Sequence, residues 1–162
     1  MIRVEPATLA MLEALVEGDE VFEGRFGVAV EPEWAVFPEA VPRALDAVRA
    51  GAEIEWGTHL LFDDQGVLVG IGGWKGEPVD GVAELGYAVA PRRQGQGIAS
   101  AAVRVLVDRG RAAGLRRVVA HTLPEESAST SVLRRCGFVN VGEVGEQDGG
   151  AVWRWELPLM AA

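Results

Sequence analysis

The segment ELGYAVAPRRQGQGIAS constrains this chain more than any other. Its first part reads as a strand. Pro91, which cannot donate to a ladder, ends that strand. Gly95 and Gly97 follow and stand directly before a helix, on which Ile98, Ala102, Val105 and Leu106 recur at helical spacing and which Gly114 stops. Glycines permit tight backbone conformations and keep Cβ atoms out of a ligand's way. The N–H groups that open a helix have no partners inside it, and with the helix dipole they converge on an anion. A pyrophosphate is the natural guest, with Arg92 and Arg93 beside it. The loop alone is equally a plain glycine turn into a helix. Two other phosphate loops fail. GxxxxGK[ST] needs a lysine, and Lys75 is the only one in the chain. A dinucleotide fingerprint needs a third small residue where Ser100 stands, and an acid at the end of the next strand, which here ends in His121 and Thr122.

The rest of the chain supplies the frame. Ile2 to Glu5 reads as a short strand, and Pro6 opens an amphipathic stretch with Leu9, Leu12, Leu15 and Val16 on one face. A short helix is predicted from Glu20 to Phe26, a loop over GVAVEPEWAVFP, and a helix from Pro38 to Ala50. GTHLLF and VLVGIGGW, joined by DDQG, make a hairpin, and GVAELGYAV is a third strand. RRVVAHT is a strand, SASTSVLRR a helix, and GFVNVGEV and AVWRWELPL are strands, the last with Trp153, Trp155 and Leu157 on one face. The order βαα(α)βββαβαββ is that of a mixed sheet with helices on both faces, an α/β three-layer architecture.

The chain has 162 residues, enough for one domain with a core. No apolar run approaches the ~20 residues that span a bilayer, and the N-terminus lacks a secretory pattern. Cys136 is the single cysteine, without a disulfide or zinc partner, which points to a reducing, cytoplasmic compartment. His59 and His121 are isolated and read as packing or edge residues, so no metal is expected. The net charge of −9 argues against nucleic acid. The charge is uneven: Met1 to Pro91 holds 5 Lys and Arg against 17 Asp and Glu, and Arg92 to Ala162 holds 10 against 7. An acidic half joined to a basic half suits two ligands of opposite charge, and equally a solvating acidic surface.

Two blocks, ELGYAVAPRRQGQGIA and LPEESASTSVLRRCGF, resemble in order and spacing the acetyl-CoA loop and the later motif of the GCN5-related N-acetyltransferase (GNAT) superfamily, within the branch of ribosomal-protein and small-molecule acetyltransferases. The resemblance covers about Val82 to Val141. It implies a GNAT-like α/β (α+β) fold with a mixed, mostly antiparallel sheet of about six to seven strands flanked by helices. It divides residues 1–162 of a single domain into acceptor-side helices (1–56), a sheet hairpin and catalytic strand (57–91) and an acetyl-CoA-binding core (92–162). The implied activity is direct transfer of acetyl from acetyl-CoA to a primary amine, on a small molecule or a protein N-terminus. A non-catalytic acyl-CoA sensor using the same pocket is the alternative.

The resemblance also implies roles. The pyrophosphate sits on N–H groups of Gln94, Gly95, Gln96, Gly97, Ile98 and Ala99, with Arg92 from the motif. Pantetheine runs beside the strand ending at Val89, whose N–H polarises the thioester carbonyl. Ser129 lies near the sulfur, or is a helix N-cap. Glu84 is the base, or binds the acceptor's ammonium; burial that raised its pKa would sharpen the base role. Glu126 stands where relatives have asparagine and cannot donate an amide hydrogen bond. Leu133 stands where several have the acidic tyrosine, which leaves Ser129, a water or departure as thiolate. Cys136 reads as core. The acceptor is expected to be cationic, bounded by the N-terminal helices and the hairpin, with Phe22, Phe26, Trp34, Phe37, Trp56 and Trp74 as candidate walls. Relatives are often dimers, so a homodimer is open, and neither membrane nor nucleic acid is expected as partner.

Overall fold

The structure, a computed structural model, describes residues 1–146 and 149–159. β1 (Arg3–Pro6) leads into α1 (Leu9–Glu17), α2 (Asp19–Phe26) and α3 (Ala40–Arg49). β2 (Thr58–Phe62), β3 (Leu68–Trp74) and β4 (Val82–Val89) follow, then α4 (Ile98–Ala112), β5 (Arg117–Thr122), α5 (Ala128–Arg135), β6 (Val139–Gly145) and β7 (Ala151–Pro158). These elements follow the predicted order. Short 3-10 turns at Ile54–Trp56 and Pro91–Arg93 were not predicted.

The strands form one sheet in the order β1-β2-β3-β4-β5-β7-β6. Every neighbouring pair is antiparallel except β4 and β5. Two cores cover its faces. On one, α4 and α5 set Ile98, Ala102, Leu106 and Leu133 against Leu61, Leu85, Val118 and Trp155. On the other, Leu12, Leu15, Phe22 and Leu45 from α1 to α3 meet Leu60, Phe62, Leu68 and Ile71. Trp155 is fully buried, so the tryptophan-bearing strand belongs to the core, while β6 forms the sheet edge.

The N-terminal reading needs two corrections. Pro6 does not open a helix: it ends β1 opposite His59, where an edge strand tolerates a missing N–H. Thr8 opens α1 instead, its side chain accepting from Met11 N–H at 3.3 Å. Only the middle of the expected apolar face is buried. Leu12, Ala14 and Leu15 pack inward, whereas Leu9 and Val16 are 42% and 48% exposed.

Candidate active site

β4 and β5 pair only at Val82, Ala83 and Glu84, against Arg117, Val118 and Val119. Beyond that register β4 runs on to Val89 and β5 to Thr122 without pairing each other. On its other side β4 stays bonded to β3, with Lys75 N–H on the Glu84 carbonyl at 2.8 Å and Ala90 N–H on the Val69 carbonyl at 2.9 Å. Bonded positions alternate along an antiparallel ladder, so the N–H groups of Tyr87 and Val89 point away from β3, into the gap. The gap thus offers an edge that an extended, amide-bearing chain can pair with. Gln94 Nε2 takes the Val89 carbonyl at 3.2 Å and ties the following loop to this edge.

That loop ends at an open helix start. Gly97 is the N-cap of α4, and no side chain caps it. Gly95 and Gly97 have φ of 78° and 80°, a region that favours glycine, and a Cβ at either would meet nothing within 4 Å. The first bond of the helix comes only at Ala101 N–H, on the Gly97 carbonyl at 3.0 Å. The first-turn N–H groups therefore face open space at the positive end of a 15-residue helix.

The two loop arginines part company. Arg93 turns inward, pairing with Asp63, with Glu31 at 3.8 Å, and with Gln96 Oε1 at 3.3 Å. Burial alone would push the Asp63 carboxyl up, but Arg93 and the N–H groups of Val67 and Gln65 hold it below the usual carboxylate range. Arg93 is therefore an anchor. Arg92 is exposed, and among the described residues no carboxylate pairs with it.

On the face covered by α1 to α3 the gap is flanked by charge. Alternation assigns Glu84 to that face, since Ala83, Leu85 and Val89 join the opposite core. His121 shares it, because Val118 and Ala120 also join the opposite core. The two meet, with His121 Nδ1 3.0 Å from Glu84 Oε2 and Lys75 Nζ 3.0 Å from the same oxygen. Burial raises the Glu84 carboxyl, but His121 and Lys75 outweigh it and leave it below the usual range. The burial-raised carboxyl that would sharpen a base role is thus reversed. His121, expected to be an isolated edge residue, is instead part of the site. No local signal could have shown this, because the contact joins strands 37 positions apart.

On the opposite face stands the start of α5. Its N-cap is Ser127, which forms a capping box with Thr130, so Ser129 is not a cap. Ser129 lines the cleft, and its carbonyl accepts the Tyr87 hydroxyl at 2.9 Å. Burial pushes the Tyr87 phenol up, so it stays protonated. Glu126 pairs with both guanidinium nitrogens of Arg134, one at 2.7 Å, and accepts from Thr130; Arg134 first and Thr130 second hold it down to about 2. Leu133 is fully buried. Cys136 caps the end of α5, its thiol pushed up by burial and bonded to the Ser100 carbonyl at 3.6 Å, which fits its reading as a packing residue.

The gap opens into a cleft of about 970 Å³ reaching under α3. Of the six aromatic residues expected at its walls, Phe37, Trp56 and Trp74 line it. Phe22 and Trp34 are buried in the helical core, with Phe26 stacked on Phe22 at 4.8 Å. Four charged side chains reach the cleft beside His121: Arg43 and Lys75 against Glu53 and Glu125. Among the described residues no group of three metal-binding side chains occurs, and no helix is long and apolar enough to cross a membrane.

In this structure a strand leaves its parallel neighbour beside an open, glycine-started helix. The sequence profile of the acetyltransferase (GNAT) domain matches residues 6–139, and the chain belongs to that family. Solved structures carry the same fold. A ribosomal-protein alanine acetyltransferase from Vibrio fischeri superposes with a TM-score of 0.68 at 19% identity, over 99% of this chain and 94% of that one. A ribosomal-protein alpha-N-acetyltransferase in complex with coenzyme A gives 0.70 at 21%, over 99% and 96%. A spermidine N-acetyltransferase chimera from Vibrio cholerae gives 0.69 at 18%, over 98% and 95%. Among curated protein sequences none matches this one.

Proposed function

We propose that this acetyltransferase takes its acetyl group from acetyl-CoA and passes it directly to a primary amine held in the same cleft. The separation of β4 from β5 after Glu84, next to the uncapped start of α4, carries this reading. The N–H groups of Gln94, Gly95, Gln96, Gly97, Ile98 and Ala99 hold the pyrophosphate, with Arg92 outside them. The free edge of β4 holds pantetheine, and Val89 N–H points at the thioester carbonyl, where a fixed donor is worth most as charge develops. Ser129 stands on the sulfur side and Glu84 on the amine side, so the two reactants enter from opposite faces of the sheet. Holding them together supplies much of the rate.

The acceptor enters under α3. The acidic N-terminal half draws a cationic amine from a distance. Inside the cleft Glu53 and Glu125 are matched by Arg43 and Lys75, so close-range recognition rests on apolar walls such as Ile54 and Trp56. Titration with acetyl-CoA, followed by thiol release over a panel of amines, tests the reading. The expected results are a raised melting temperature and release with at least one amine. No binding at millimolar acetyl-CoA would overturn it. Binding without release from any amine would leave a sensor in its place.

A further inference from the structure

We infer that His121 is the base that takes the amine's proton, and that Glu84 is the positioning residue that holds His121 for it. The inference rests on the acetyltransferase reading and refines its amine side. His121 lines the cleft with its side chain 19% exposed, with Glu84, 30% exposed, lying behind it and not among the cleft walls. It lies on β5 two residues beyond the last pair with β4, on the face from which the amine arrives. Its Nδ1 is 3.0 Å from Glu84 Oε2. Glu84 is held ionised by His121 and Lys75 against the opposing effect of burial. An ionised carboxylate only accepts, so Nδ1 carries a hydrogen, and in the neutral imidazole Nε2 keeps a bare lone pair. Among the described residues no group bonds Nε2. A carboxylate behind an imidazole fixes the tautomer and stabilises the imidazolium that forms. Glu84 itself, with one oxygen shared by the Lys75 ammonium and the His121 ring and its pKa lowered, is a weaker base than an isolated carboxylate.

The surrounding charges allow the cycle. Glu84 faces His121 from β4, and Lys75, just past β3, sits on the same carboxylate. Arg154 lies opposite it on β7, held by Glu156 at 2.8 Å, and Glu125 lines the same cleft. The alkylammonium gives one proton to Nε2. The freed nitrogen pair forms the N–C bond at the thioester carbonyl, and the C–S bond breaks with its electron pair going to sulfur. The second nitrogen proton goes to the thiolate, giving amide and thiol, and His121 returns its proton to solvent.

The test compares wild type, His121→Gln and Glu84→Gln with acetyl-CoA and three probes: spermidine, an alanine-initiated peptide and benzylamine. His121→Gln is expected to lower kcat by about 10²–10³-fold, to leave the Kd for acetyl-CoA unchanged, and to abolish the acidic limb of the pH–rate profile. Glu84→Gln is expected to lower kcat less and to free the ring tautomer of His121, because the carboxylate that fixes it is gone. Retention of kcat and limb in His121→Gln, with loss of both in Glu84→Gln, would make Glu84 the base and sink the inference alone. Nitrogen NMR of the wild type needs no variant to fold. With only two histidines to assign, it should show the His121 hydrogen on Nδ1, and a hydrogen on Nε2 instead would overturn the dyad. Absence of thiol release from all three probes by wild type would remove the transferase reading and this inference with it.

Discussion

The starts of α4 and α5 solve one problem in opposite ways. Every helix begins with N–H groups that lack partners. At α5 the chain closes two of them itself: Ser127 Oγ accepts Thr130 N–H at 3.3 Å, and Thr130 Oγ1 accepts Ser127 N–H at 2.9 Å. At α4 the chain offers Gly97 and closes nothing, and the loop is held from outside, by Arg93 on Asp63 and by Gln94 on the Val89 carbonyl. A self-closed start adds stability and leaves fewer donors over. A start anchored remotely keeps its donors for a ligand. The difference separates residues that hold the fold from residues that hold the carrier, and substitutions should sort accordingly.

The largest effect should come from the remote anchor. Arg93→Ala leaves the buried Asp63 without its cation and should cost about 3 kcal/mol in chemical denaturation. Its pH dependence gives the sign. Because the folded Asp63 pKa is lowered, its pair contributes stability above the unfolded carboxyl range near ~3.9 and loses it as pH falls through the folded value. The gap between wild type and variant should therefore narrow in acid; a constant gap would mean the pair is not its source. Next, Gly97→Asp places a carboxylate at the open start and should weaken acetyl-CoA by about 100-fold in calorimetry. An unchanged Kd would show that the phosphates lie elsewhere. Arg92→Ala should weaken acetyl-CoA about tenfold, less so at high salt, without altering the melting temperature. Smallest is Ser127→Ala, which should cost about 1 kcal/mol of stability and leave acetyl-CoA affinity alone. A loss of affinity there would erase the contrast between the two starts.

What the sequence disclosed follows the reach of each interaction. The glycine loop, Pro91 and the periodic face of α4 are local, and they located the open helix start to the residue. The roles of Arg92 and Arg93 were indistinguishable, because which one turns inward depends on Asp63, 30 positions away. Leu9 and Val16 fit a helical stripe, but the width of the buried face is set by α3 and the sheet. The amine side was least legible. Glu84 was visible on its strand, but its meeting with His121 is made by a parallel crossover, and alternation within either strand carries no sign of the other.

The placement of β7 between β5 and β6 has a consequence for biosynthesis. The ribosome makes β5 well before the strand that will flank it on the side away from β4. Until that partner emerges, the strand bearing His121 presents a bare border to solvent or to a neighbouring nascent chain. Early cessation of translation after β6 would leave that border open in every molecule, so such fragments should be recovered as aggregates or chaperone clients rather than as weakened enzyme.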